Sequence, residues 1–275
     1  MMKKISCIGS GNMGTALMKG LVPSVGKENI GFCDTYPSKA KTAAASMGAM
    51  VYDSNSQAVE QADFVFLAVK PQILRAVLDD IRDAVKGRLQ AGSKPLALIT
   101  MAAGWPIAKI RECLGVDVPI ARIMPNTPAL ISRGVVSLSA PATFPPELLA
   151  ELQKILSSAG LVDQLEESYM DSATGISGTG PAFVYIFIEA LADGGVHSGL
   201  PREKAMLYAT QTVLGAAAMV LESGKHLGEL RDMVTSPGGT AIAGITALEN
   251  GAFRASVINA VEAAWRRALE LSTSH

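Results

Sequence analysis

The residues near the N-terminus whose types and spacing could do chemistry form a glycine-rich turn. Gly9-Ser10-Gly11-Asn12-Met13-Gly14 follows the β-rich run Lys4–Ile8 and opens a helical pattern. In such a G-x-G-x-x-G turn, the first glycine permits a tight bend, the second lets a pyrophosphate approach the backbone, and the third lets the helix pack closely. The first amides and the dipole of the helix then face the phosphates. The spacing therefore predicts a dinucleotide-binding site.

An acidic residue stands where such a site needs one. Asp34 lies twenty positions after Gly14, at the end of the second strand pattern. A carboxylate there binds the ribose hydroxyls of the adenosine and repels a 2′-phosphate, which favours NADH. However, Ser38, Lys39 and Lys41 follow closely and could reach a phosphate, although exposed lysines are more often a solvated helix face. The choice between NADPH and NADH stays open at this point.

Three further loops follow strand patterns in the first half. Ala68-Val69-Lys70-Pro71-Gln72 comes after one strand, Met101-Ala102-Ala103-Gly104 after the next, and Met124–Pro128 after a third. Ligands of open α/β sheets bind at the carboxyl ends of the strands, so we expect the first two loops to contact the nicotinamide half of the cofactor and the third to flank the same crevice. The alternative is ordinary turn chemistry.

The stretch SPGGTAIAG, residues 236–244, interrupts the helical second half. A Gly-Gly corner can direct successive N–H groups toward one point, and a helix from about Thr240 adds its N-terminal amides and dipole. Ser236 and Thr240 add hydroxyl donors. We expect this corner to hold a substrate carboxylate without an arginine or lysine; the alternative is a simple turn between two helices.

The chain offers no obvious proton donor for a carbonyl reductase. His197, His226 and His275 stand in no motif and are read as surface or capping residues, and no zinc-ligand cluster replaces them. The segment 175–180, GISGTG, resembles the helix start of the β-hydroxyacid dehydrogenases, but Val184 stands where their catalytic lysine would be. A cyclic imine is a substrate that could be reduced without a proton donor from the protein. It can arrive already protonated, and the enzyme then needs only to position it.

The surrounding elements predict two domains. Residues 1–166 alternate strands and helices, which indicates a Rossmann-type, doubly wound, mainly parallel α/β sheet. Residues 167–275 are predicted to be all helical and to serve dimerisation and substrate binding. Pro181–Asp193 is apolar on every face for its first turns, so we expect a second subunit to cover it; the alternative is a helix at the centre of its own domain. The predicted strands are Lys4–Ile8, Ile30–Cys33, Phe64–Val69, Leu96–Thr100, Pro119–Ile123, Val135–Ser139 and Leu161–Leu165.

The composition narrows the function classes. The 275 residues are 49% hydrophobic, and 24 basic against 25 acidic residues give a net charge of -1, which argues against nucleic-acid binding. The run Ala182–Ile188 is too short to cross a bilayer, and three isolated cysteines fit neither a disulfide framework nor a metal site. We expect a cytoplasmic protein that binds no membrane and no metal.

Long segments resemble the pyrroline-5-carboxylate reductases over nearly the whole chain. The resemblance implies hydride transfer from NADPH or NADH to the imine carbon of 1-pyrroline-5-carboxylate, giving L-proline, the last step of proline biosynthesis. It also implies an interlocked homodimer and, in some members, a ring of dimers. The segments are IGSGNMGTAL at 8–17, FLAVKPQ at 66–72, RIMPNTPALISRGV at 122–135, GISGTGPAFVYIFIEALADGGVHSGLPREKA at 175–205 and LRDMVTSPGGTAIAGITALENGAFRASVINAVEAA at 230–264.

The resemblance also assigns site residues. The substrate residues that it implies are Glu167, Ser236, Pro237, Gly238, Gly239, Thr240 and Ala241, with Ser236 and Thr240 as catalytic hydroxyls. The nucleotide residues that it implies are Ile8, Gly9, Ser10, Gly11, Asn12, Met13, Gly14, Asn55, Ala68, Val69, Lys70, Pro71, Met101, Ala102 and Ala103.

One position departs from the family pattern. Members usually carry threonine where this chain has Ala241, so the proton of the ring nitrogen comes from Thr240, from water, or with the substrate; we favour the last. The alternatives to this function are a reductase of another cyclic imine or related oxo acid, and a non-catalytic nucleotide-binding or pyridoxal-phosphate-binding protein.

Overall fold

The computed structural model describes residues 3–92 and 95–273. The chain divides into two compact units, one comprising Met1–Thr179 with Ala264–His275 and the other Gly180–Ala263. The domain boundary predicted after residue 166 stays a prediction, since the segment 167–179 clusters with the first unit.

The first unit contains a single eight-stranded sheet among its described residues. Its strands are β1 Ile5–Ile8, β2 Ile30–Cys33, β3 Met50–Val51, β4 Phe64–Leu67, β5 Ala97–Thr100, β6 Ile120–Pro125, β7 Gly134–Ser139 and β8 Gly160–Gln164. The helices of this unit that precede the second unit are α1 Asn12–Val25, α2 Pro37–Ala45, α3 Asn55–Gln61, α4 Pro71–Ala91, α5 Ile107–Leu114, α6 Pro146–Leu156 and α7 Met170–Ala173.

The sheet has the order β3-β2-β1-β4-β5-β6-β7-β8. All neighbouring strands are parallel except β6 and β7, which pair antiparallel. Because the strand order reverses between β1 and β4, the carboxyl ends of these two strands flank a crevice, which is where doubly wound sheets bind ligands. The predicted fold class is confirmed. Sequence patterns did not indicate β3, α3 or α5.

The central strands β1, β2, β4, β5 and β6 are buried on both faces, as continuous apolar strands require, whereas the edge strands β3 and β8 are largely exposed. Alternate residues feed two cores: Ile5 and Phe64 pack with Leu17 of α1 on one face, whereas Ile8 and Leu74 of α4 pack on the other. Both faces are therefore covered by helices, and the ends of the strands are left to form the site.

The second unit is helical and buries few large side chains of its own. It holds α8 Gly180–His197, α9 Arg202–Ser223, α10 Leu227–Met233, α11 Thr240–Asn250 and the first part of α12 Phe253–Thr273. Helices α8 and α9 pack through the small residues Ala192, Ala205 and Ala209. Tyr185 and Ile186 of α8 are 60% and 66% exposed in the single chain.

Two segments of this region are also long and apolar enough to cross a bilayer. Glu167–His197 and Arg202–Ser223 reach mean hydropathies of 1.3 and 1.2 over eighteen residues. Length and composition alone are weak evidence for a membrane span, because helices that bury themselves against another protein chain have the same properties.

Candidate active site

Two of the three motif glycines are required by packing. Gly9 has φ of 103°, and a Cβ on it would lie 2.6 Å from the carbonyl oxygen of Ala68. A Cβ on Gly14 would lie 2.7 Å from the carbonyl oxygen of Gly9 and 2.8 Å from the Cβ of Ala68. Real side chains do not tolerate such distances, so these two glycines let β1, α1 and the end of β4 come together.

Gly11 differs, because a Cβ on it would meet no atom within 4 Å. It stands at the N-terminal cap of α1 with φ of -71°, a conformation open to any residue. The packing of the protein therefore does not demand a glycine at this position. Gly11 lines two cavities of about 610 and 370 Å³, and its bare backbone at a helix N-terminus is suited to a pyrophosphate.

The carboxylate of Asp34 is held by two backbone amides. Its Oδ2 accepts from the N–H of Ser10 at 2.7 Å, and its Oδ1 accepts from the N–H of Tyr36 at 2.9 Å. Asp34 is partly buried and lines the 370 Å³ cavity. The carboxylate thus ties the glycine turn to the end of β2.

The structure brings together many of the predicted cofactor residues. The 370 Å³ cavity is lined by Ile8, Gly9, Gly11, Asp34, Asn55, Ala68, Val69 and Lys70 among others. The amide of Asn55 donates to Oδ2 of Asp80 at 2.9 Å, which fixes its orientation. Ser10 and Asn12 line the larger cavity.

Other predicted cofactor residues lie outside both cavities. Met13 is partly buried within α1, and Pro71 starts α4, with its carbonyl accepting from Nε1 of Trp105 at 3.0 Å. Met101, Ala102 and Ala103 directly follow β5, and the N–H of Met101 donates to the carbonyl of Leu67 at the end of β4. Their loop therefore belongs to the same sheet edge.

The corner before α11 is a tight turn. The N–H of Gly239 donates to the carbonyl of Ser236 at 3.0 Å, and Gly238 has φ of 67°. Pro237 followed by a glycine at positive φ is the pattern of a type II turn. The amide of Gly239 is used by this turn. The donors available to an anion therefore include the first amides of α11, from Thr240 to Ile242.

The turn is accessible in the single chain: Ser236, Pro237, Gly238 and Thr240 are exposed, whereas Gly239 and Ala241 are partly buried.

The histidines have other roles or lie elsewhere. Nδ1 of His226 accepts from the N–H of Gly228 at 3.1 Å and so caps α10. His197 ends α8, and His275 lies outside the described residues.

Comparisons with known proteins agree over the full length. Residues 167–271 match the family model for pyrroline-5-carboxylate reductase dimerisation, and residues 4–90 match the model for NADP oxidoreductase, coenzyme F420-dependent. The pyrroline-5-carboxylate reductase of Methanosarcina acetivorans is 42% identical over 98% of both chains. That of Escherichia coli is 40% identical over the whole of both chains.

This chain belongs to the pyrroline-5-carboxylate reductase family.

The solved structures support the assignment. The pyrroline carboxylate reductase of Plasmodium falciparum, solved with NADP bound, superposes with a TM-score of 0.87 at 33% identity over 98% of both chains. The chain is thus an oxidoreductase with a dinucleotide-binding domain, and the resemblance seen in its sequence is confirmed. Its dimerisation half contains the helix α8 whose apolar side chains stay exposed in the single chain, which is the surface that self-association requires.

A buried ion pair joins the sheet to the start of the dimerisation half. Arg122 of β6 is 3% exposed, and its Nη2 lies 2.8 Å from Oδ1 of Asp171. Its Nη1 lies 3.7 Å from Oε1 of Glu167. The same oxygen of Glu167 accepts from the N–H of Ile107 at 2.8 Å, which caps α5.

Glu167 therefore has partners within its own unit, and its predicted place in the reductase substrate site stays a prediction. The pairing of Arg122 was missed by sequence reasoning. The available signal was an arginine inside the apolar strand pattern IARIMP, since a buried guanidinium needs a carboxylate nearby.

Asn126 connects the sheet to the GISGTG motif of this reductase. Its Oδ1 accepts from the N–H of Val135, and its Nδ2 donates to the carbonyl of Ser177, both at 2.9 Å. Residues Thr174–Gly178 form a π-helical turn, a feature that often marks functional positions. Asn126 thus anchors this turn with a side chain that is 6% exposed.

Two thiols lie beneath the glycine turn. Burial raises the pKa of Cys7 far above its ordinary value, with a smaller contribution from the charge of Asp34. Burial, followed by the charge of Asp34, raises the pKa of Cys33 to about 11. Both thiols are therefore protonated at neutral pH and act as small apolar side chains.

Proposed function

We propose that this chain reduces 1-pyrroline-5-carboxylate to L-proline with NAD(P)H, the last step of proline biosynthesis. The observation that carries the proposal is the match along the whole chain to reductases of that name, 40% identical in the case of Escherichia coli. The match includes both the glycine turn and the Ser236–Thr240 turn, so the two elements that the reaction needs are present together.

The proposed cofactor site is built around the open space beside Gly11. When bound, NAD(P)H supplies the hydride. The open space at Gly11 and the first amides of α1 receive the pyrophosphate. Asp34 and Asn55 line the adjoining cavity, and the loops Ala68–Pro71 and Met101–Ala103 hold the nicotinamide half at the ends of β4 and β5.

The substrate part rests on the turn before α11. The carboxylate of the substrate accepts from the amides of Thr240–Ile242, which have no acceptor within the helix. The positive end of the helix dipole favours the anion. The hydroxyls of Ser236 and Thr240 lie at the same turn and complete the donor set, so no arginine or lysine is required. The family resemblance adds Glu167 to the residues that we propose bind the substrate.

The proton of the ring nitrogen arrives with the substrate. Alanine stands at position 241, where the family usually carries threonine, so this side chain donates nothing. A protonated imine is already an electrophile, and positioning it against the nicotinamide is then the main task of the protein.

The assembly that we propose is an interlocked homodimer in the cytoplasm, which can build into a ring of dimers. The proposal is supported by the family model for dimerisation over residues 167–271 and by the exposed apolar side chains of α8. The exposed position of the Ser236–Thr240 turn in the single chain leaves room for a partner to complete the substrate site.

A spectrophotometric assay tests the function. We expect steady oxidation of NADH or NADPH on adding 1-pyrroline-5-carboxylate, and much slower oxidation with 1-pyrroline, which lacks the carboxylate. A preference for imines without a carboxylate would indicate another imine reductase. Cofactor binding without turnover of any imine or oxo acid would indicate a non-catalytic binding protein.

A pair of variants tests the substrate turn. Ser236→Ala should raise KM for the pyrroline about tenfold or more, because a hydrogen bond to a carboxylate is lost. Thr246→Ala is the matched control, since the Thr246 hydroxyl donates to the carbonyl of Ile242 within α11 and lies away from the turn. Equal kinetics for both variants would place the carboxylate elsewhere.

A further inference from the structure

The Asp34 carboxylate is a fixed negative charge in the wall of the cofactor cavity. Both of its oxygens accept a backbone N–H, from Ser10 and Tyr36, and the residue is partly buried. Each carboxylate oxygen has a second lone pair, so the group can accept from a ligand hydroxyl and keep both backbone bonds. Rotating it away would leave the amide of Ser10 in the glycine turn and the amide of Tyr36 after β2 without acceptors.

We propose that Asp34 makes this reductase prefer NADH to NADPH. The inference rests on the proposed function only in taking a reduced nicotinamide dinucleotide as the ligand. A ribose 2′-hydroxyl can donate to the carboxylate, whereas a 2′-phosphate would bring a second negative charge against it. Since Asp34 cannot move aside without breaking the turn, the repulsion is not relieved.

The nearby lysine does not reverse this preference. The Nζ of Lys39 lies 4.8 Å from the centre of the Tyr36 ring, and both side chains are exposed. The attraction of an exposed ammonium for a phosphate is screened by water and salt, whereas the charge of Asp34 sits in a partly buried wall. Lys39 lines both cavities beside Gly11, whereas Lys41 lies farther along α2 and lines neither. Because the ammonium of Lys39 is exposed, it offsets only part of the repulsion from Asp34. The carboxylate therefore dominates the choice of cofactor.

The test is a binding titration that needs no turnover. NADH and NADPH are titrated into the dimeric protein, and the nicotinamide fluorescence gives Kd for each. For the wild-type chain we expect Kd for NADH to be lower by a factor on the order of 10 to 100. Asp34→Ser, and Asp34→Asn with a smaller change in shape, should reduce that factor to about threefold or less.

Asp53→Asn is the matched control. This substitution removes the same charge from the neighbouring turn before α3. Because Asp53 does not line the cavity, the variant should keep the wild-type ratio of the two Kd values. Lys39→Gln should change Kd for NADPH by less than about threefold, since exposed charges contribute little.

Three results would overturn the proposal: equal or tighter binding of NADPH by the wild-type chain, an unchanged ratio in folded Asp34 variants, or an equal loss of preference in Asp53→Asn. The first needs no variant, so misfolding of a variant cannot hide it. If the chain binds NADH preferentially but oxidises none with the pyrroline, the proposed function fails and this inference stands.

Discussion

Adding a methyl group to the glycine turn at Gly14 or at Gly11, in two separate variants, should distinguish an effect on folding from an effect on cofactor binding. In Gly14→Ala the new Cβ would lie 2.7 Å from the carbonyl oxygen of Gly9, 2.8 Å from the Cβ of Ala68 and 3.1 Å from Sγ of Cys7. In Gly11→Ala the new Cβ would have no neighbour within 4 Å, and the backbone already suits alanine. Only the first change disturbs the protein itself.

The magnitudes follow from these contacts. Overpacking against backbone atoms in a full core costs about 1–3 kcal/mol of unfolding free energy, and the better helix propensity of alanine offsets up to about 1 kcal/mol. Gly11→Ala loses a favourable helix cap, about 0.5–1 kcal/mol, and gains about 0.4–1 kcal/mol from a less flexible unfolded chain. Its stability should therefore stay within about 1 kcal/mol of wild type.

Two assays measure the effects on stability and on cofactor binding separately. Urea unfolding at one fixed protein concentration gives stability, and titration with NADH gives cofactor affinity. Gly11→Ala should bind the cofactor at least about tenfold more weakly at near-normal stability, because its methyl occupies the space that the pyrophosphate needs. Gly87→Ala is the control: this exposed glycine of α4 also meets no atom within 4 Å, so the change should stabilise slightly and leave binding alone.

Either of two results would contradict these expectations. If Gly11→Ala binds NADH as tightly as wild type, the open space beside Gly11 is not the pyrophosphate cradle. If Gly14→Ala is as stable as wild type, the close approach of β1, α1 and the end of β4 does not depend on glycine.

Three further predictions concern the buried groups and the substrate turn. Asp171→Asn should lower the unfolding free energy by about 2–4 kcal/mol in urea, because it removes the charge that pairs with the buried Arg122, whereas Glu151→Gln at a surface pair should cost less than about 1 kcal/mol. Since Cys33 has a pKa of about 11 when folded and about 9 when unfolded, the unfolded chain loses this proton first. Stability should then fall above pH 9, by up to about 1.4 kcal/mol per pH unit for this thiol; unfolding curves of Cys33→Ala should show a shallower loss. Ala241→Thr should change kcat less than about tenfold, and a gain of several orders of magnitude would show that the chain lacks a needed proton donor.

The centre of the sheet could be predicted from the sequence because its central strands are buried on both faces. Strands such as Phe64–Leu67 then read as continuous apolar runs between helical patterns. The missed strand, Met50–Val51, has only two residues, both exposed at the sheet edge, so it carries no such run. Helix α3 is short and polar, so it has too few apolar residues for a helical periodicity to be recognised in the sequence.

The residues that line the candidate cofactor cavity could be grouped from the sequence where spacing along the chain specifies them. The glycine turn and Asp34 follow such spacing. The motif also predicts that Gly14 serves packing and that Gly11 faces open space, and the distances at both positions agree with it. It does not say that Gly9 is required by packing as well, because this depends on how close the end of β4 comes. Likewise, the pair of Arg122 and Asp171 joins residues 49 positions apart, and no local pattern specifies the pairing.

The turn before α11, which we propose binds the substrate carboxylate, explains how the chain tolerates alanine at position 241. The sequence predicted that the Gly-Gly corner and the first amides of the following helix hold the anion together, but the amide of Gly239 closes the turn onto Ser236. The amides at the start of α11 remain, and that of Ala241 is present whatever its side chain. Losing a hydroxyl there removes one hydrogen bond and leaves the backbone donors and the helix dipole in place. In the proposed reaction, the carboxylate is therefore bound by groups that do not change with the side chain at position 241, and the proton arrives with the substrate.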